Sequence, residues 1–163
     1  MEQQQFTAEV LAAEKQLYGV AKSILKSDAD CEDAVQSAIL NAYANLSALK
    51  DEKFFRTWLT RILINECFGI IRKSKRVIPI EKLPENEAAD NRNVRSGAES
   101  THSDVYEALM ELKENYRIPF VLHYVQGYSV KETAVILKLT ENGVKQRLFR
   151  ARRQMQESLK GVR

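Results

Sequence analysis

Residues 129–155 read SVKETAVILKLTENGVKQRLFRARRQM. Ser129 followed by Glu132 has the spacing of a capping box, in which each side chain satisfies a backbone N–H at the start of a helix. A short helix is expected from there. Leu137-Lys138-Leu139 then makes a turn, and Thr140 is the kind of residue that caps a second helix, expected to reach about Leu159. On this last helix Val144, Leu148, Ala151 and Met155 fall in one narrow stripe at about 100° per residue, so the stripe packs inward. The opposite face carries Asn142, Gln146, Phe149, Arg150 and Arg153, flanked by Lys145 and Arg152. A short helix, a tight turn and a longer basic helix make a helix-turn-helix, whose second helix enters the major groove of duplex DNA. Its first turn sits deepest, so Glu141, Asn142, Lys145 and Gln146 are the candidates for reading base edges. Arg147, Arg150 and Arg153 are the candidates for phosphates, which the helix N-terminus itself also favours.

Charge is distributed accordingly. Residues 105–163 hold 11 basic and 6 acidic side chains, residues 81–104 hold 3 and 6, and residues 1–80 hold 11 and 10. A basic module at one end of a chain of net charge +3 reads as a polyanion-binding footprint. Upstream of the helix-turn-helix, Val105, Leu109 and Leu112 share a helical face, and Pro119 is expected in the first turn of a helix ending near Gly127. Residues 77–102 contain Pro79, Pro84, Gly97 and several Asn and Ser, with no apolar period after Leu83. They read as a flexible, mildly acidic linker with room for a short helix around 85–89.

Residues 6–75 read as three more helices. Phe6, Val10, Ala13, Leu17, Val20 and Ile24 form one stripe. Ser27-Asp28-Ala29-Asp30 ends that helix and caps the next, which runs from about residue 31 to 47 and buries Cys31, Val35, Ala38, Ile39, Ala42 and Leu46. Its other face carries Asp33, Gln36, Ser37 and Leu40, a leucine amid polar groups that suits either a partner surface or an ordinary exposed position. The third helix, from about residue 54 to 75, buries Leu59, Leu63, Cys67, Ile70 and Ile71, with Ile64 at the edge of the stripe. Opposite lie Trp58, Arg61, Ile62, Asn65, Gly69 and Arg72, and the helix runs out through Lys73, Lys75 and Arg76. Cations with an aromatic among them suit melted DNA, because a base can stack while phosphates are neutralised; for Trp58 itself, packing against the neighbouring helices is the more ordinary role.

Other classes are disfavoured. Cys31 and Cys67 lack metal-ligand spacing and make no disulfide scaffold, so a reducing cytoplasm is expected. No run of about 18 apolar residues predicts a membrane span, and residues 1–5 do not resemble a signal peptide. His102 and His123 stand apart, and no nucleophile, base or metal cluster assembles, so neither an enzyme nor a cofactor is expected.

DCEDAVQSAI at 30–39 and FFRTWLTRILINECFGIIRKSKR at 54–76 resemble conserved region 2 of the extracytoplasmic-function (ECF) sigma factors, and GYSVKETAVILKLTENGVKQRLFRARRQM at 127–155 resembles their region 4. The resemblance implies an all-α chain of two small helical domains: region 2 in residues 1–76, a flexible linker in 77–102, and region 4 in 103–163. It implies a protein that brings core RNA polymerase to promoters and performs no catalysis. Asp33, Gln36, Ser37 and Leu40 would dock on the clamp helices of the largest polymerase subunit. The loop at 47–53, with Lys50, would hold a base flipped from the −10 element, and Trp58, Arg61, Asn65, Arg72 and Lys73 would lie along the −10 DNA. The last helix would read the −35 element, and region 4 would also meet a flap of the second-largest polymerase subunit. An anti-sigma factor is the further expected partner, with no direct membrane insertion. Ser37 departs from the acidic residue often found at its position, Thr133 from a common isoleucine, and residues 3–5 are glutamines where no region 1 is recognisable.

The linker length is compatible with this reading. Its 26 residues span at most roughly 85–95 Å. Promoter elements a little under two duplex turns apart lie about 60 Å apart, at roughly 34–36 Å per turn. The competing reading is a stand-alone helix-turn-helix regulator that uses residues 1–76 to dimerise and binds palindromic sites without polymerase.

Overall fold

The structure is a computed structural model that describes residues 1–77 and 100–160. Most of the stretch read as a linker, including the short helix expected around 85–89, lies outside the described residues. At its margins Val77 ends one helix and Ser100 opens another. The described residues contain seven α-helices and no strand.

In the N-terminal module, α1 (Gln3–Lys22) stops where Ser23 Oγ donates to the Val20 carbonyl at 2.6 Å. Helix α2 (Asp28–Ala44) starts at Ser27, whose hydroxyl accepts from the Asp30 N–H at 3.2 Å. It ends three residues before the expected boundary. Leu46 therefore sits in a 3₁₀ turn (Leu46–Ala48), only half-buried, and Ala34 lies fully inside the stripe. A second 3₁₀ turn (Glu52–Phe54), begun by the Asp51 carboxylate accepting from the Lys53 N–H at 3.2 Å, leads into α3 (Phe55–Val77). The three helices close around Leu17, Val20, Val35, Phe55, Leu59 and Leu63. Each such side chain contributes about 1.5–3 kcal/mol by leaving water.

In the C-terminal module, α4 (Ser100–Glu111) and α5 (Glu114–Phe120) precede a π-turn (Val121–Val125). Pro119 is the sixth residue of α5, not a first-turn residue as expected. Proline has no N–H for the Asn115 carbonyl four residues back, which would be left without its helical donor. Arg147, from the last helix, donates to that carbonyl at 3.3 Å. Helices α6 (Val130–Leu137) and α7 (Glu141–Leu159) follow the expected boundaries. The capping box is complete: the Ser129 hydroxyl accepts from Glu132 N–H and the Glu132 carboxylate from Ser129 N–H, at 3.0 and 2.9 Å. Between the helices Lys138 takes the left-handed conformation at φ 57°, and Thr140 Oγ1 accepts from Gly143 N–H at 2.9 Å. Thr140→Ala is expected to lower stability by about 1 kcal/mol, measured as an earlier urea midpoint at unchanged slope.

The sequence reading set two domains at the ends of a linker; in the structure they are packed on one another. Ile118, Leu122, Tyr128 and Ile136 of the C-terminal module belong to the same buried cluster as α1, α2 and α3. Two smaller clusters complete the C-terminal module. In one, Ala108 and Leu112 meet Ala151 and Met155; in the other, Ala134 meets Val144 and Leu148.

Candidate nucleic-acid and polymerase interfaces

Helix α7 presents one inward and one outward face. Val144, Leu148, Ala151 and Met155 are buried, as their spacing requires. Glu141, Asn142, Lys145, Gln146, Arg150 and Arg153 are exposed on a continuous outer surface. Arg147 differs from them: it is half-buried and committed to the Asn115 carbonyl. Arg152 donates to the Tyr124 hydroxyl at 2.6 Å, and the Arg153 guanidinium lies 5.8 Å from the exposed Phe149 ring.

On α2, Asp33, Gln36, Ser37 and Leu40 are all exposed, and Leu40 shows 69% of its surface. Tyr43, one turn on, is also exposed, so the apolar part of this face is larger than one leucine. The first turn of α2 carries Asp28 and Asp30, where the helix macrodipole stabilises negative charge.

On α3, Asn65, Arg72 and Lys73 are exposed, whereas Arg61 and Trp58 are half-buried. Trp58 packs against the core with its ring 6.1 Å from Phe55, so its core and outward readings are both partly met. Lys50 is exposed in the loop ahead of α3. Beside it Phe54 is exposed, with the Lys53 ammonium 5.2 Å over its ring. This cation–aromatic pair was missed by helical periodicity, because it lies in a 3₁₀ turn. The loop is braced from α1, where Gln5 Nε2 donates to the Glu52 carboxylate at 2.8 Å.

Burial pushes the Cys67 thiol up to about 12 and raises that of Cys31, so both stay protonated. His123 shares a 2.7 Å hydrogen bond with the Tyr128 carbonyl. Among the described residues no helix is long and apolar enough to cross a membrane.

Comparison with known proteins connects these faces. Residues 10–77 match the family model of Sigma-70 region 2, and residues 102–155 that of Sigma-70, region 4. The chain is 32% identical over 140 residues to the ECF RNA polymerase sigma factor SigM of Mycobacterium tuberculosis, covering 85% of this chain and 68% of that protein. It belongs to the ECF sigma factors. SigV of Bacillus subtilis is 26% identical over 87% of this chain and 83% of its own length. The sigma factor RpoE of Bartonella quintana, solved in complex with the anti-sigma factor NepR, superposes with a TM-score of 0.76 at 27% identity, over 98% of this chain and 99% of that one. CnrH, solved in complex with the cytosolic domain of CnrY, shares the fold with a TM-score of 0.72 at 24% identity. As an ECF sigma factor the chain directs promoter-specific transcription with RNA polymerase. With residues 10–77 matched to region 2, the stand-alone regulator loses its dimerisation module.

Proposed function

We propose that this sigma factor divides its work among three faces. The α2 face of Asp33, Gln36, Ser37 and Leu40 docks on core polymerase. Acidic and apolar groups there fit a basic partner surface with an apolar socket. The loop with Lys50, Lys53 and Phe54, together with Trp58, Arg61, Asn65, Arg72 and Lys73, receives the melted −10 strand. The outer face of α7 reads the −35 duplex through Glu141, Asn142, Lys145 and Gln146 and holds phosphates through Arg150 and Arg153. Arg147 is better placed to brace α5 than to reach a phosphate, because its guanidinium already serves a backbone carbonyl. Region 2 comprises residues 1–76 and region 4 residues 103–163, acting in the cytoplasm. The protein works by binding alone. Capturing an unpaired strand shifts the duplex–bubble equilibrium, and a stacked base returns about 1–3 kcal/mol, so several contacts must act together.

The observation that carries this reading is that Asn142, Lys145, Gln146 and Arg150 stand exposed on the one helix of the region 4 match that has a long cationic outer face. Its test is run-off transcription with purified core polymerase. Gln146→Ala is expected to cut the yield from the cognate promoter about fivefold or more, the equivalent of about 1–3 kcal/mol at one base pair, and to relax selectivity there. Equal yield and equal selectivity would remove Gln146 from the readout. An anti-sigma factor is the expected partner, since the Bartonella relative was solved in complex with NepR.

A further inference from the structure

The loop that receives the melted −10 strand has little of its own to hold it in shape. Residues 50–54 are all exposed, between half-buried Leu49 and buried Phe55. Their side chains mostly bond within the turn. Asp51 accepts from the Lys53 N–H at 3.2 Å and pairs with its ammonium at 3.7 Å, and that ammonium lies over the Phe54 ring. A 3₁₀ turn has poor hydrogen-bond geometry, and one with so few buried contacts belongs to the low-stability end of a fold. Among the described residues, Glu52 is the one side chain of this stretch bonded to another element. One of its carboxylate oxygens accepts from Gln5 Nε2 at 2.8 Å, and the other lies 3.2 Å from the Met1 amino group. The Gln5 hydrogen bond first, and then the amino group, hold the Glu52 carboxyl below its ordinary range, so it is ionised at neutral pH.

The other side of this bracket is anchored. Gln5 lies in the first turn of α1, beside the buried Phe6. The Phe6 ring meets Phe55 edge-on with centroids 5.7 Å apart and Tyr43 at 5.2 Å. Phe55 opens α3, and Tyr43 stands next to the end of α2. The start of α1 is therefore pinned to both helices that the loop joins. We propose that Gln5 and Glu52 are positioning residues for −10 capture: by tying the 3₁₀ turn to α1, they hold Lys50, Lys53 and Phe54 in the arrangement that meets the unpaired strand. This inference rests on the reading that the loop receives that strand. The bracket also settles the charge of the loop. Glu52 sits among lysines, and a carboxylate turned towards the strand would repel its phosphates. Bound on the α1 side, it leaves the outward surface to two cations and a ring on which a base can stack. A loop held ready in this way binds more tightly, because less ordering remains to be done on binding.

Gln5→Glu tests this in the holoenzyme formed with core polymerase. An acidic residue in the first turn of a helix is favourable, so α1 is not weakened, but the new carboxylate faces that of Glu52. Affinity for a promoter fork whose −10 strand is already unpaired is expected to fall about fourfold, as for a loop that is competent about a quarter of the time. Adding Glu52→Gln exchanges donor and acceptor across the same gap and should restore affinity to within about twofold of the parent. Core affinity, binding to an isolated −35 duplex and melting temperature should match the parent for both variants, which a defect in folding would not allow. Lys50→Ala with Phe54→Ala checks the underlying reading and should weaken fork binding by itself. If it does so while Gln5→Glu binds the fork like the parent, or while Glu52→Gln fails to rescue Gln5→Glu, the bracket is overturned and the loop assignment stands. If the loop variant itself binds the fork like the parent, the assignment falls and the bracket with it.

Discussion

Asp33→Arg is expected to weaken binding to core polymerase about thirtyfold or more, which corresponds to about 2 kcal/mol. Asp33 lies on the exposed face of α2, one turn from Gln36 and Ser37 and two turns from Leu40. Reversing its charge places a cation where the partner surface expects an anion, and like-charge juxtaposition across an interface costs several kcal/mol. The same substitution leaves the N-terminal core intact, because the buried stripe of α2 runs through Cys31, Ala34, Val35, Ala38 and Ala42. Circular dichroism and −35 duplex binding should therefore match the parent. A companion change, Leu40→Ala, should act mainly on the dissociation rate, since it removes apolar contact and not charge steering. Parent-like core affinity for Asp33→Arg would remove the α2 face from the docking surface.

Helix content and most helix ends were legible in the sequence because they rest on local rules. The Ser129–Glu132 box, the Thr140 cap and the α7 stripe depend on residues within a few positions of one another, and all three form as read. The outward faces followed by subtraction. Errors appear where a distant residue decides. Pro119 looks like a first-turn proline, but it sits inside α5, where the Arg147 side chain from α7 donates to the Asn115 carbonyl that the proline leaves without its helical donor. Ile118, Leu122 and Ile136 fit the apolar pattern of their own module, so nothing local announces that they cover α1 and α3. Across that contact the Arg117 guanidinium donates to the Ser23 carbonyl, and the Thr60 hydroxyl meets the Tyr128 hydroxyl, pairings that no local pattern announces. Each has an ordinary explanation alone. Together they describe one interface, and that coincidence is visible only in three dimensions.

The other large effect is expected on α3. Arg61→Ala with Asn65→Ala should lower run-off transcription from the cognate promoter by about a hundredfold, while core binding and −35 duplex binding stay within twofold. Each lost contact to an unpaired base or its backbone is worth about 1–3 kcal/mol, and a hundredfold loss, about 2.7 kcal/mol, is within reach of the pair without requiring that two neighbours one helical turn apart add. Asn65 is exposed and Arg61 half-buried, so neither substitution opens a cavity, and the melting temperature should change little. Arg72→Ala with Lys73→Ala provides the contrast, because those side chains lie two turns further along the exposed end of the helix. As phosphate contacts they should weaken binding evenly across sequences and reduce the salt slope by about one to two. If the Arg61 and Asn65 pair lowers transcription equally from a premelted −10 template and from a closed duplex, the residues recognise the strand after it opens. If only the duplex template suffers, they act in opening it. A double variant that transcribes both templates like the parent places the −10 contact on the Lys50–Phe54 loop instead.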